Sequence, residues 1–146
     1  GVELFESDDI IMYLFKFYGI GNVPSLLGGD LFTTLTSGLG LLPRFSRGSE
    51  RKFSNPPQLP LILWASESSP FCKLVREELC ELEIIHRQIS CPRGSVNRQK
   101  LFEKTGTFQA PYLEDPNNGV ALFESYAIVK YLQKMYGVEP STVRYL

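Results

Sequence analysis

The sequence has few of the residues that build metal centres or disulfide frameworks. Its 146 residues include 1 histidine, 1 tryptophan, 2 methionines and 3 cysteines. An odd number of irregularly spaced cysteines excludes the paired framework of a small secreted protein and favours a reducing compartment. The one histidine, His86, has no second ligand-type residue near it in sequence. We therefore assign it neither a metal nor a catalytic base role.

Charge and hydropathy exclude two further classes of partner. The formal net charge of −1 lacks the basic excess that binding to nucleic acid requires. Residues 25–42 are apolar, but glycines and Asp30 interrupt them, so they fall short of the ~20 apolar residues of a membrane span. With 43% hydrophobic residues, the chain can still form the core of one globular domain.

The sequence does contain an internal repeat. GVELFESDDIIMYLFKFYG at residues 1–19 aligns with GVALFESYAIVKYLQKMYG at residues 119–137, and 12 of the 19 aligned residues are identical at an offset of 118. That offset fits a domain plus a linker rather than a solenoid repeat. We interpret residues 1–19 as the strand and helix that end an upstream domain, residues 20–58 as a linker and residues 59–140 as a complete second domain.

The second domain alternates between strand and helix patterns. LILWA, IIHRQIS, APYLED and VALF predict four strands, and the turn sequence DPNNG joins the last two into a hairpin. Three amphipathic helices are predicted in SSPFCKLVREELCELE, SVNRQKLFEKTG and ESYAIVKYLQKMYG. The order βαβαββα predicts an α/β, thioredoxin-like fold with a four-stranded mixed sheet, preceded by the partial repeat.

The first of these helices has a clear start signal. Ser69 is a favourable N-cap, and Pro70 follows at the first helical position, where its missing N–H costs nothing. The helical period predicts that Phe71 faces the core and that Glu78 and Glu81 face solvent.

Three motifs fall at meaningful places in this order of elements. SPFC, from Ser69 to Cys72, lies at the turn from the first strand to the first helix and resembles the C-P-[FY]-C of glutaredoxins. APYL places Pro111 where that superfamily holds a cis proline. ESYAIVKYL places Glu124 and Ser125 where glutathione transferases hold the γ-glutamyl group. The domain thus resembles the N-terminal domain of glutathione S-transferases and the related glutaredoxins.

The resemblance implies glutathione as the cofactor. The doubled arrangement also resembles glutaredoxin-like double-domain proteins of photosynthetic plants, which implies an intracellular, chloroplast location and a redox role. Full transferases continue into an all-helical domain that holds the second substrate. Only nine residues follow Gly137, so we expect glutathione binding rather than general transferase activity.

Two catalytic positions follow from the SPFC motif. Serine cannot form a mixed disulfide, but Ser69 can donate a hydrogen bond to a glutathione thiolate, as in serine-type transferases; a plain N-cap serine is the alternative. Cys72 occupies the resolving position and is expected to pack against the sheet. Cys91, in the loop SCPRGS, is expected to be a solvated thiol, with a redox site as the less favoured alternative.

Four positions are assigned to glutathione binding. A cis bond between Ala110 and Pro111 would direct the backbone of Ala110 toward the helix start, where it can pair with the cysteinyl amide; the alternative is a trans proline that opens a strand. Glu124 suits the α-amino group and Ser125 the carboxylate of the γ-glutamyl residue. As structure alone, the same pair would complement the helix dipole and cap the helix.

Three functional hypotheses remain open on the sequence. The first is a glutathione-binding domain with a serine-type site and weak or specialised activity. The second is a glutaredoxin-like disulfide oxidoreductase that acts through the upstream repeat. The third is a non-catalytic module that binds a protein partner, or its own copy through the N-terminal segment.

Overall fold

The computed structural model describes residues 3–4, 7–23 and 50–138. The chain forms two units, Gly1–Phe45 and Ser46–Leu146, and each is described by itself. In the first unit, helix α1 spans Ser7–Tyr18, in agreement with the helix that the repeat predicts there. Most of the predicted strand before it, and residues 24–49 of the predicted linker, lie outside the described residues.

The second unit contains seven elements in the predicted order. They are β1 (Leu61–Ala65), α2 (Pro70–Glu81), β2 (His86–Ser90), α3 (Val96–Thr105), β3 (Tyr112–Asp115), β4 (Val120–Phe123) and α4 (Ser125–Tyr136). The strand order is β2-β1-β3-β4. β1 runs parallel to β2 and antiparallel to β3, and β3 and β4 form the predicted hairpin. The predicted thioredoxin-like fold with its mixed four-stranded sheet is confirmed.

The central strand divides the core into two layers. Leu61, Leu63 and Ala65 of β1 point to one face of the sheet, where they pack with buried residues of α2 and α4. Trp64 points to the other face and packs with Leu101 of α3. Because successive side chains of a strand alternate between faces, the continuous apolar run LILWA supplies both layers.

A short segment before β1, residues 51–55, lies across the domain, and we call it the strap. The N–H of Lys52 donates to the carbonyl of Glu81 at 2.7 Å, and the N–H of Asn55 donates to the carbonyl of Tyr136 at 2.8 Å. Ser54 and Gly137 form an antiparallel bridge. The strap therefore fastens the C-terminal ends of α2 and α4 together, and these residues of the predicted linker belong to the folded unit.

Two predictions about the first helix of the domain are wrong, and the strap explains the first of them. Glu78 and Glu81 were expected to face solvent, yet both are buried. The ammonium group of Lys52 lies 2.9 Å from a carboxylate oxygen of Glu78 and 2.5 Å from one of Glu81, so a single cation pairs with both carboxylates. Phe71, expected in the core, is 62% exposed. It lies in the first turn of α2, and the next residue, Cys72, packs into the core in its place.

A carboxylate cluster joins the hairpin to α4. Asp115, at the end of β3, is 1% exposed. Its carboxylate accepts hydrogen bonds from the hydroxyls of Tyr131, at 2.6 Å, and Tyr136, and from the side-chain amides of Asn117 and Asn118, both at 2.9 Å. Burial alone would raise the pKa of Asp115, but these hydrogen bonds outweigh it and hold the pKa far below its usual range.

The strap yields a prediction about stability. Lys52→Met leaves two buried carboxylates without their cation, and we expect the free energy of unfolding to fall by about 1–3 kcal/mol. Arg51→Met is the matched control, because Arg51 pairs with Glu83 where both side chains are more than half exposed, and such pairs contribute less than about 1 kcal/mol. Urea denaturation monitored by Trp64 fluorescence measures both. Equal losses in the two variants would refute the role given to Lys52.

The carboxylate cluster yields a prediction about acid stability. The pKa of Asp115 is lower in the folded chain than its usual 3.8, so the folded state is stabilised above that value and loses this stabilisation as the pH falls below about 4. Asp115→Asn should already be less stable at neutral pH and should show a flatter dependence on pH below 4. Melting curves at several pH values test this. A parallel acid dependence in the two proteins would contradict the prediction.

Candidate functional site

The start of α2 is capped by a hydroxyl group. Ser69 has the extended backbone of an N-cap residue, and its Oγ accepts a hydrogen bond from the N–H of Cys72 at 3.4 Å. Pro70 takes the first helical position, as predicted. The cap function is therefore present, and it uses only an acceptor site of the hydroxyl. The hydroxyl proton can still be donated to another group.

A cleft of about 490 Å³ opens at this helix start. Residues that line it include Ser66, Ser68, Ser69, Arg93, Arg98 and Ala110. Two guanidinium groups, three hydroxyls and the N-terminal end of α2 thus face one cleft. Such an arrangement favours a ligand that carries negative charge.

The peptide bond between Ala110 and Pro111 is cis, as the family resemblance implies, so the trans alternative is wrong. Pro111 is buried, and Ala110 lines the cleft. β3 follows directly and pairs with β1, with Tyr112 opposite Trp64. This register positions Ala110 beside the end of β1, and therefore beside the turn that leads into Ser69.

Glu124 precedes α4 in a backbone conformation that few side chains adopt. Its φ is 69°, and its side chain makes no capping hydrogen bond to the helix. The helix-capping alternative is therefore wrong for the Glu124 side chain. Instead, the side-chain amide of Gln109 donates a hydrogen bond to the Glu124 carboxylate. Because Gln109 directly precedes Ala110, this bond connects Glu124 to the cleft.

Ser125 lies in a different cavity. It is 8% exposed and lines a groove of about 460 Å³ between α2 and α4, whose walls also carry Glu78 and Lys130. The structure therefore brings Ser69 and Ala110 into one cleft and links Glu124 to its edge. It does not place Ser125 in the same cavity.

Two of the three cysteines are buried behind the cleft. Cys72 is fully buried, as expected, and its Sγ accepts a hydrogen bond from the N–H of Ser66 at 3.4 Å. Cys91 was expected to be solvated but is also fully buried. The reason is that its N–H donates to the carbonyl of Ala65 at 2.8 Å, which extends the pairing of β2 with β1 and turns the thiol into the core. Burial raises the pKa of Cys91, although the Arg98 guanidinium opposes the rise.

Within the described residues, no group of three or more histidine, cysteine or acidic side chains could hold a metal ion. His86, in β2, has its Nδ1 3.1 Å from the carbonyl oxygen of Ile84. A search of the described helices found none long and apolar enough to cross a membrane.

Comparison with models of known protein families identifies the family of this domain. The family model described as glutathione S-transferase, N-terminal domain, matches residues 63–140, which is more than half of the chain. The chain belongs to this family. The match begins inside β1 and includes Ser69, Ala110 and Glu124, so it covers the whole candidate site.

Two solved structures of one glutathione transferase agree with this assignment. The Bombyx mori glutathione transferase BmGSTD1 is 26% identical, with a TM-score of 0.52 over 60% of this chain and 40% of that one. Its complex with GTT matches at the same identity and TM-score over 62% and 42%. A Nilaparvata lugens delta-class glutathione transferase is 25% identical, with a TM-score of 0.49 over 56% and 38%. No protein with a curated description matches.

The chain spans about two fifths of the length of the Bombyx mori transferase, and the similarity lies in the N-terminal transferase domain. Sequence reasoning had identified Ser69, Ala110 and Glu124 but had not singled out Ser66 and Ser68. Both belong to the run SESS that precedes Pro70. The clustering of serines before a helix start was the available signal, but only the turn geometry shows which hydroxyls face the cleft.

The burial of the thiols can be tested by chemical labelling. Cys80 is exposed, whereas Cys72 and Cys91 are buried. In the folded transferase domain, a thiol reagent should modify Cys80 rapidly and the other two only on unfolding, because a buried thiol is not accessible to the reagent. Mass spectrometry of digested protein after brief labelling measures this, with labelling in urea as the control. Rapid labelling of Cys91 would support the original expectation of a solvated loop thiol.

Proposed function

We propose that this transferase domain binds glutathione in the cleft at the start of α2, with the thiol of the ligand next to Ser69. The observation that carries the proposal is that Ser69 and Ala110 line one cleft together with Arg93 and Arg98. Membership of the glutathione S-transferase N-terminal family supports glutathione as the ligand. The function that follows is glutathione binding with a weak or specialised glutathione-dependent activity.

Ser69 has the chemistry for a serine-type site. Its oxygen accepts the N–H of Cys72, and its hydroxyl proton can simultaneously be donated to a sulfur atom in the cleft. The partial positive charge at the N-terminal end of α2 acts in the same direction, because it stabilises an anion such as a thiolate. Both effects would lower the pKa of the bound thiol and increase the fraction of nucleophilic thiolate near neutral pH.

The remaining groups suit the charged ends of the tripeptide. The backbone of Ala110 can pair with the cysteinyl amide like an added strand. Arg93 and Arg98 offer guanidinium groups for a carboxylate. The Glu124 carboxylate suits the α-amino group, and its positive φ of 69° is the kind of backbone strain that persists where a side chain must point at a ligand.

Thiol–disulfide exchange by this domain is less well supported. The position of the attacking cysteine in glutaredoxins is Ser69 here, and Cys72 is fully buried. A buried thiol next to a serine can neither form the mixed disulfide nor resolve it. The third hypothesis, a module that only binds proteins, differs from the proposal in one measurable property, the affinity for glutathione.

A titration tests the proposed binding. Reduced glutathione at millimolar concentration should shift the backbone amide resonances of Ser69, Ala110 and Glu124, because all three are assigned to the ligand. Arg93→Gln should raise the dissociation constant roughly tenfold, as expected for the loss of one charge-assisted hydrogen bond. Arg51→Gln, which removes the same charge at the opposite end of α2, should leave the affinity unchanged.

Ser69→Ala separates binding from thiolate stabilisation. Its amide shifts with glutathione should remain, but the pKa of the bound thiol should rise, which the ultraviolet absorbance of the thiolate reports as a function of pH. The variant should also lose about 1 kcal/mol of stability with its cap, so melting curves are recorded alongside. Absence of amide shifts near the cleft in the parent chain would favour the protein-binding hypothesis.

A further inference from the structure

The buried residues of α4 recur unchanged in α1. α4 buries Ser125, Ile128, Leu132 and Tyr136. At the repeat offset of 118, α1 carries Ser7, Ile10, Leu14 and Tyr18. The side chains that attach α4 to the core of its domain are therefore all present in α1, with the same spacing.

The positions that differ between the two segments lie outside this buried face. Seven of the 19 aligned positions differ, and in the second copy they are Ala121, Tyr126, Ala127, Val129, Lys130, Gln133 and Met135. Six of these residues are exposed and Val129 is half-buried. Substitution at exposed positions has little effect on packing, whereas core positions tolerate little change. The pattern indicates that both helices are built to cover the same kind of surface.

The corresponding face of α1 is exposed in this chain. Ile10 is 37%, Leu14 48% and Tyr18 80% exposed, whereas their counterparts in α4 are at most 6% exposed. Two further apolar side chains of α1, Met12 and Phe17, are also more than half exposed. Because α1 also carries Asp8, Asp9 and Lys16, it is an amphipathic helix, and such a helix buries its apolar face against a neighbouring element.

The tyrosines specify more than an apolar surface. In the second copy, Tyr131 and Tyr136 donate their hydroxyl groups to the buried carboxylate of Asp115. Their counterparts in α1 are Tyr13 and Tyr18. A surface that matches α1 would therefore carry an acceptor at the place that Asp115 occupies next to α4.

We propose that the face of α1 formed by Ile10, Leu14 and Tyr18 docks on a second thioredoxin-like domain, at the surface equivalent to the one that α4 covers. That partner surface consists of a sheet and a helix, and it presents a carboxylate to Tyr13 and Tyr18. In the second unit, α4 itself covers the equivalent surface. The partner is thus another domain of the same fold that lacks a closing helix of its own.

Grafting α1 in place of α4 tests this fit in the full chain. Seven substitutions make residues 119–137 identical to residues 1–19: Ala121→Glu, Tyr126→Asp, Ala127→Asp, Val129→Ile, Lys130→Met, Gln133→Phe and Met135→Phe. We expect one cooperative unfolding transition with a midpoint within about 8 °C of the parent chain. Adding Asp115→Asn should lower the midpoint equally in the graft and in the parent, because the tyrosines still hold the carboxylate. Adding Leu132→Asp to the graft should abolish cooperative unfolding.

A second graft guards against simple aggregation. It omits Lys130→Met, Gln133→Phe and Met135→Phe and therefore adds little exposed apolar surface. If this graft also lacks a cooperative transition, or if Asp115→Asn affects neither graft, the α1 sequence does not fit such a surface and the proposal is wrong.

Sedimentation of the parent chain with vesicles of phosphatidylcholine and phosphatidylglycerol tests whether the α1 face binds lipid instead. Binding that Leu14→Asp removes would assign the face to lipid and overturn the proposal. We expect no binding that depends on Leu14.

Discussion

The buried carboxylate of Asp115 connects three parts of the domain that are distant in sequence. Tyr131 and Tyr136 reach it from α4, and the side-chain amide of Asn117 reaches it from the hairpin turn. The same Asn117 side chain also accepts from the N–H of Leu59 and donates to its carbonyl, just before β1 begins. A buried charge is tolerated only when several donors surround it. Hairpin, closing helix and central strand are therefore held in one arrangement, on which the position of Ala110 beside β1 depends.

Local patterns predicted the elements of this domain closely. LILWA and VALF match the bounds of β1 and β4, and Gly106, the last residue of the predicted helix segment SVNRQKLFEKTG, has the left-handed backbone that a glycine cap adopts. The sequence failed where a distant residue decides the environment. Glu78 is buried because Lys52, 26 residues earlier, neutralises it. A helical period shows which side chains share a face, but it does not show what covers that face.

The residues of the candidate site also form two groups: those predicted from the sequence and those placed by contacts between distant segments. The helix start at Ser69 follows from local sequence, and the cis bond before Pro111 is implied by the family resemblance; both are present in the structure. The position of Cys91 does not, because it depends on backbone pairing with Ala65, an interaction between segments 26 residues apart. Arg93 and Arg98 meet Ser69 in one cleft only through the crossover that makes β1 and β2 parallel. In this domain the motifs thus identify residues that begin helices and strands, and the topology determines which charged groups lie around them.

The strap has a consequence for how this fold can be combined with other proteins. Ser54 and Gly137 are bridged, and the N–H of Val138 donates to the carbonyl of Phe53 at 2.9 Å. The first and last described segments of this unit are therefore two adjacent, antiparallel backbones, about 5 Å apart. A domain whose ends meet in this way can be inserted into a surface loop of a host protein without separating the loop's two anchor points. The domain can therefore be transferred as a whole, provided that the transferred segment begins before residue 51 rather than at β1.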